Sequence, residues 1–267
     1  MRVFLCHEIL ARRVVLLSLV AASACSRSTD RLGPTVDRSG GDLPTLSVPR
    51  TDSAPVIDGD LTDEAWQRAA STGPFVSPAS GKPTPGSKVR ARARLLYDAS
   101  HLFIAFEVLD EAPVSAFRAD EEDPHVWSSA SGVEMMLAPG DHDDNRDYFE
   151  VQIEVGGAVW DTHFDDYNKP IRHLPLSKKK RFGRQEWKSG IERATRRESW
   201  GYSVELSLPF AMLRTAREAK APAAGAVWRM NFYSFRDGQG DALAWSPLLG
   251  KGNFHRASRF GRVTFQQ

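Results

Sequence analysis

The chain has 267 residues, of which 41% are hydrophobic and 26% charged, and its formal net charge at pH 7 is +1. These proportions are those of a soluble globular protein, and the balanced charge supplies no global attraction to nucleic acid. Its two cysteines, Cys6 and Cys25, exclude a disulfide-stapled scaffold.

The first 25 residues form a recognisable segment. Arg12 and Arg13 precede the apolar run Val14 to Val20, and small residues then lead to Cys25. That order describes a secretory signal, and a cysteine at the cut resembles a bacterial lipoprotein lipobox. The apolar run is shorter than the roughly 20 residues that span a bilayer. Residues 1–24 therefore read as a lipoprotein signal peptide and Cys25 as the lipidation site. The other reading is a plain signal peptide cut after Ala24. Lipidation predicts an exported, membrane-anchored protein, and Ser26 favours the outer membrane, on its periplasmic or surface face. Residues 25–50, polar and rich in Gly, Pro and Ser, read as a flexible tether. The remaining 51–267 are expected to form the folded domain.

Strand signals dominate from there. Ala54 to Ile57 suggests a short strand entering a turn, and Thr62 a cap for a short helix that buries Trp66. Val89 to Tyr97 alternates apolar residues with Arg90, Arg92 and Arg94, and Leu102 to Val108 follows across a turn, predicting a hairpin. Gly132 to Leu137 is a further strand. In Tyr148 to Val155 the apolar Phe149, Val151, Ile153 and Val155 face one way, and Tyr148, Glu150, Gln152 and Glu154 the other. Gly156-Gly157 predicts a hairpin turn into Ala158 to Phe164. Tyr202 to Leu208, a helical turn over Phe210 to Leu213, Trp228 to Phe235 and Arg262 to Phe265 complete the set. Many short strands with one polar and one apolar face predict an all-β fold, an antiparallel, jelly-roll-like β-sandwich with one or two short helices.

Several blocks occur together in order: Pro55 to Leu61 followed by Asp63-Glu64-Ala65-Trp66; Val89 to Leu102; Val126-Trp127 before Gly132-Val133-Glu134; Trp228 to Phe232; Trp245-Ser246-Pro247; Asn253-Phe254-His255; and Arg259 to Phe265. This set resembles the family 9 carbohydrate-binding modules and their family-9-like relatives. The resemblance implies a noncatalytic site in which a sugar ring is held between two aromatic side chains while polar groups bond its hydroxyls. Carried over by position, it implies Trp127 and Phe254 as the stacking pair, with Glu134, Asn231, Tyr233 and His255 as polar contacts. Glu150 stands where characterised modules carry an arginine. The implied partner is a polysaccharide or oligosaccharide, bound by a protein that reaches the membrane through its lipid. A monomer is expected, with no nucleic acid and no required cofactor.

Other readings stay open at these positions. Trp127 follows an acidic loop, which favours a site tryptophan, whereas Phe254 fits a core lid as well as a stacking platform. Glu134 fits a strand face turned to water, and Asn231 and Glu150 are balanced between ligand contact and solvated face. Trp66, Trp160, Trp200, Trp228 and Trp245 are assigned to the core. The acidic positions Asp141, Asp143, Asp161 and Asp165 are candidates for structural calcium, with a solvated loop as the alternative; Arg146 in the glycine place rules out an EF-hand. Lys178 to Arg181 reads as a solvated loop or a contact for anionic headgroups or acidic polysaccharide. Two further function classes remain: an interaction lipoprotein without sugar binding, and a glycosidase, which needs two carboxylates facing each other across a groove.

Overall fold

Alternating sequence builds the clearest strands. Over β3 (Val89–Tyr97) and β12 (Gly261–Phe265) buried positions recur at every second residue, because successive side chains leave opposite faces of a strand. The computed structural model describes residues 31–169, 171, 183–237 and 240–267, and arranges twelve strands among them into two sheets. One sheet has the order β2 (Ala70–Ser71), β3, β4 (His101–Asp110), β9 (Gly201–Pro209), β8 (Glu192–Glu198). The other runs β1 (Thr45–Val48), β12, β10 (Val227–Arg236), β5 (Gly132–Ala138), β6 (Arg146–Glu154), β7 (Val159–Asp166), with β11 (Gly240–Ala244) also paired to β10. Neighbours are antiparallel except β1, which runs parallel to β12. One short helix, α1 (Glu64–Gln67), and 3-10 turns at Val126–Ser128, Phe210–Met212 and Ala257–Arg259 complete the described structure. The expected antiparallel β-sandwich is what forms.

The main core lies between the sheets. Ile104, Phe106, Val204 and Leu206 meet Met135, Val151, Met230 and Phe232, and the Phe106 and Phe232 rings touch edge-on across the layers at 6.1 Å. Each such side chain contributes about 1.5–3 kcal/mol by leaving water. Two smaller apolar clusters cover the outer faces. Trp66, Leu96 and Phe103 cap the five-stranded sheet, while Tyr148, Trp160, Phe164, Tyr233 and Phe260 lie on the seven-stranded one. The polar face of β6 is therefore buried too: Glu150, Gln152 and Glu154 are as inaccessible as Phe149 and Val151.

The β6–β7 hairpin turns at Gly156-Gly157 as expected, with Gly157 at φ +98°. Elsewhere the structure departs from the sequence reading. Ala54 to Ile57 is not a strand, and the helix cap is Asp63 rather than Thr62, although its carboxylate accepts from the Val56 N–H at 2.8 Å instead of capping. The short strands β1, β2, β8 and β11 carried no expectation. Most consequentially, the tether expected over 25–50 is packed from Arg31 onward. Leu32 is 2% exposed, the Arg31 guanidinium sits 4.1 Å over the Trp200 ring, and Thr45–Val48 completes the edge of a sheet. Trp200 is thus half-buried under a cation rather than in the core. A two-residue apolar alternation, Leu46 and Val48, is too short to signal a strand whose partner lies over 200 residues away. Cys25 and the Lys178 to Arg181 run lie outside the described residues.

Candidate functional site

The buried polar face of β6 forms the floor of a concavity of about 360 Å³, lined by Trp127, Glu134, Glu150, Gln152, Trp160, Phe164, Tyr167, Asn253, Phe254 and His255. Antiparallel register sets Glu134 of β5 directly opposite Gln152, and Gln152 opposite Trp160 of β7. Gln152 knits the floor together. Its Nε2 donates to Glu134 Oε2 at 3.0 Å and to Glu150 Oε1 at 2.6 Å, and its Oε1 accepts from the Trp127 backbone N–H at 3.2 Å. One amide thereby ties both carboxyls to the turn that presents Trp127. That indole is 39% exposed, whereas Trp66 and Trp245 are 1% exposed, so it is held at the rim rather than packed away.

Three buried atoms here have no hydrogen-bond partner: Glu134 Oε1, Glu150 Oε2 and Trp160 Nε1. Most buried polar atoms in a folded protein are paired, since leaving one unmet costs about 1–3 kcal/mol. His255 closes one side. Its Nδ1 bonds the Tyr148 hydroxyl at 2.8 Å, its ring stacks on Tyr167 at 4.0 Å, and its Nε2 lies 3.6 Å from Glu150 Oε2. The last contact has the geometry of an ion pair, yet burial disfavours charge on both partners. Burial pushes the Glu150 carboxyl up to about 8 and the His255 imidazole down to about 3. At neutral pH the contact therefore joins two mainly neutral groups. Burial, and then the neighbouring Glu150, also raises Glu134 well above the usual carboxylate range.

Trp127, Glu134, Glu150, Phe254 and His255, separated by up to 128 positions, are thus brought to one concavity. Asn231 and Tyr233 are not. The Asn231 carbonyl accepts from the Phe232 and Ser246 N–H groups at 3.0 and 2.9 Å, and its amide donates to the Tyr233 hydroxyl and the Ser246 carbonyl at 2.6 and 2.9 Å. That leaves it no bonding capacity for a ligand. Tyr233 is fully buried behind Phe254, its ring stacked at 4.0 Å and 5° and its hydroxyl donating to the Phe254 carbonyl at 3.2 Å. Both residues support the Phe254 wall instead of lining it.

Five lining residues were not anticipated as site residues: Gln152, Trp160, Phe164, Tyr167 and Asn253. Strand parity carried a signal for three, because Trp160 and Phe164 share a sheet face with Glu150 and Gln152. Trp160, expected in the core, is therefore a wall of the concavity. Tyr167 and Asn253 come from loops, joined by a 2.7 Å bond from the Asn253 amide to the Tyr167 hydroxyl, and no periodicity marks them.

The calcium candidates do not converge. Asp141 is held by Arg229 and Arg262, Asp165 by Arg184, and Asp161 by the Ser189 N–H and hydroxyl with Lys188 at 3.8 Å. Asp143 is exposed. Among the described residues no group of three or more His, Cys, Asp or Glu could hold a metal ion.

Solved structures share this architecture. A family 9 carbohydrate-binding module from Caldicellulosiruptor kristjanssonii, in complex with cellotriose, superposes with a TM-score of 0.52 at 18% identity, over 84% of this chain and 94% of that one. The module from that organism in complex with glucose gives 0.54 at 15% identity, over 84% and 96%. A candidate carbohydrate-binding protein of Bacteroides uniformis ATCC 8492 gives 0.63 at 16% identity, over 84% and 100%. At such identities the likeness is one of fold. Comparison with curated proteins gives no match. The family described as carbohydrate family 9 binding domain-like matches residues 57–267. With that match spanning the sandwich and its concavity, the chain belongs to the carbohydrate family 9 binding domain-like family.

Proposed function

We propose that this protein binds carbohydrate noncatalytically in the concavity on the outer face of its seven-stranded sheet, and does so as a lipid-anchored protein of the cell envelope. The observation that carries the reading is that Glu134, Glu150 and Trp160 line one concavity with aromatic walls, each with a buried polar atom that makes no hydrogen bond: Oε1, Oε2 and Nε1 respectively. A pyranose has apolar CH faces that stack on aromatic rings and an edge of hydroxyls that needs directional partners. Trp127 and Phe254 supply the faces; Glu134, Glu150 and His255 supply the edge. The cellotriose and glucose in the related modules support the ligand class.

An open groove favours ligand binding over a docking role in which side chains would fill it. Both carboxyls rise from one sheet face and share one amide, an arrangement that favours a polar floor for a sugar's edge over an acid–base pair straddling a scissile bond. Affinity is expected to be modest, because each sugar hydroxyl exchanges one bonding partner for another. Trp127→Ala is expected to abolish retention on a glycan affinity gel while the melting temperature holds. Retention equal to wild type would overturn the site. An array of neutral and charged glycans, run with and without calcium, identifies the sugar.

The signal-like residues 1–25 support a lipid at Cys25. Arg31 is held on the outer face of the five-stranded sheet, over Trp200 and 3.4 Å from Glu107. Six residues reach at most roughly 20 Å, so an anchor at Cys25 would keep that face near the membrane and turn the opposite face, with the concavity, away from it. Many copies on one surface would offset weak single-site binding by raising effective concentration. Cys25→Ser is expected to release the protein from the membrane fraction and abolish labelling by a fatty-acid probe.

A further inference from the structure

Among the described residues no lysine or arginine lines the concavity: the ten that do are two carboxylic acids, two amides, one histidine and five aromatic rings. Elsewhere in the protein, buried carboxyls face cations or several donors. Glu107 is met by Arg92 and Arg94, and Glu205 by the Trp66 indole and the Gly59 N–H. Glu134 and Glu150 have the shared Gln152 amide as their hydrogen-bond donor, with a neutral His255 at 3.6 Å from Glu150, and each keeps one buried oxygen without a hydrogen bond. Both glutamates line the same space as Trp127 and Phe254.

We infer that the preferred ligand carries a positive charge: an amino sugar whose ammonium group is held between Glu134 Oε1 and Glu150 Oε2. This rests on the reading of the concavity as a sugar site and narrows it. An ammonium has three donors and no acceptor, so one group can satisfy both acceptor oxygens, whereas a sugar hydroxyl donates only once. Charge-assisted bonds are also the stronger kind, and aromatic walls favour a cation over a neutral group. Among the described residues nothing else in the concavity supplies the counter-charge, because both His255 nitrogens face groups that burial keeps neutral: Nδ1 the Tyr148 hydroxyl, Nε2 the Glu150 carboxyl.

The arrangement also specifies a proton signature. With its carboxyl pushed up to about 8 by burial, Glu150 is mostly protonated below neutrality in the free protein. An ammonium beside it favours the carboxylate, so binding at pH 6 to 7 releases a proton to the buffer. Glu134, raised like Glu150 by burial and by its neighbour, contributes to the same proton release, whereas the other ionisable groups facing the pair shift away from that range. Burial raises Tyr148, Tyr167 and Tyr233 and lowers His255 to about 3.

The test compares glucosamine, N-acetylglucosamine and glucose on the intact protein by titration calorimetry and Trp127 fluorescence, at pH 6.5, in two buffers of different ionisation heat. Glucosamine is expected to bind about tenfold more tightly than the two neutral sugars, as a charge-assisted bond outweighs a neutral one. Its binding enthalpy is expected to shift between buffers, and theirs to stay constant. Glu134→Gln and Glu150→Gln, which keep side-chain volume, are expected to weaken glucosamine more than glucose, bringing the ratio of their affinities toward one, and to remove the buffer dependence. Glucose binding as tightly as glucosamine, with no proton released, overturns the amino-sugar inference and leaves the sugar site standing. No fluorescence or heat change with any of the three, or with a wider glycan panel, overturns the sugar site itself.

Discussion

On the outer face of the five-stranded sheet, Glu107 and Glu205 are buried among donors; on the outer face of the seven-stranded sheet, Glu134 and Glu150 are buried around one amide. The residue type and degree of burial are alike, with all four exposed by 3% or less. What differs is how far the carboxyl is satisfied. Glu107 is clamped by Arg92 and Arg94, with Arg31 at 3.4 Å, and Glu205 accepts from Trp66, Asp58 and Gly59. A fully satisfied buried group rigidifies a fold, while a half-satisfied one is costly and calls for a reason outside the fold. The first face is closed by its own donors, and the second keeps the two acceptor oxygens that the proposed site would use.

Four measurements can break or sharpen that contrast. The largest effect is expected at the aromatic residues that cover the two faces. Trp66→Ala removes a buried indole and the donor to Glu205, and is expected to cost about 4 kcal/mol by chemical denaturation. Trp127→Ala, at the exposed rim, should stay within about 1 kcal/mol and lose glycan retention instead. Equal losses from the two would erase the distinction. Next, Glu107→Ala strands Arg92 and Arg94 and is expected to cost about 3 kcal/mol, whereas Glu134→Gln should leave stability within about 1 kcal/mol.

The third measurement is pH dependence. Glu150 binds its proton more tightly folded than unfolded, so its contribution is fully present below the ordinary value of 4.5 and is lost as pH rises toward about 8. His255 runs the other way, its contribution being lost as pH falls from 6.5 toward about 3. Denaturation midpoints across pH 5 to 8 should therefore change slope in Glu150→Gln, with the decline toward pH 8 reduced. An unchanged slope would mean that Glu150 is not held protonated. The smallest effect is expected at the strut behind the wall: Tyr233→Phe loses only the hydroxyl bonds to Asn231 and the Phe254 carbonyl, about 1 kcal/mol. Glycan retention should persist, because the stacked rings remain.

Much of the sandwich was readable because alternation reports which side of a strand is apolar. Over β3 and β12 that pattern and the observed burial coincide. Over β6 it also named the right core residues, Phe149, Val151 and Ile153, but could not say what covers Glu150 and Gln152. A polar strand face reads the same whether water, an arginine or an aromatic wall lies above it. For the same reason Asn231 looked like a ligand contact, although the Ser246 backbone consumes its amide, and Trp160 looked like core. Tyr167 and Asn253 had no pattern to carry them, since loops have no period.

By itself, then, the sequence determined the all-β class, most strands, the inter-sheet core, and five residues that meet in one concavity. Each of these follows from local hydrophobic spacing or from ordered motifs. Only the tertiary structure decided that residues 31–50 pack on the domain, that two carboxyls share one amide, and that no lysine or arginine among the described residues lines their concavity. Those facts depend on partners such as Thr45 with Arg262, Glu134 with Gln152, and Tyr148 with His255. Such groups meet only after the chain has closed long loops, and hydrogen-bond satisfaction is a property of the neighbours in space rather than of the residue.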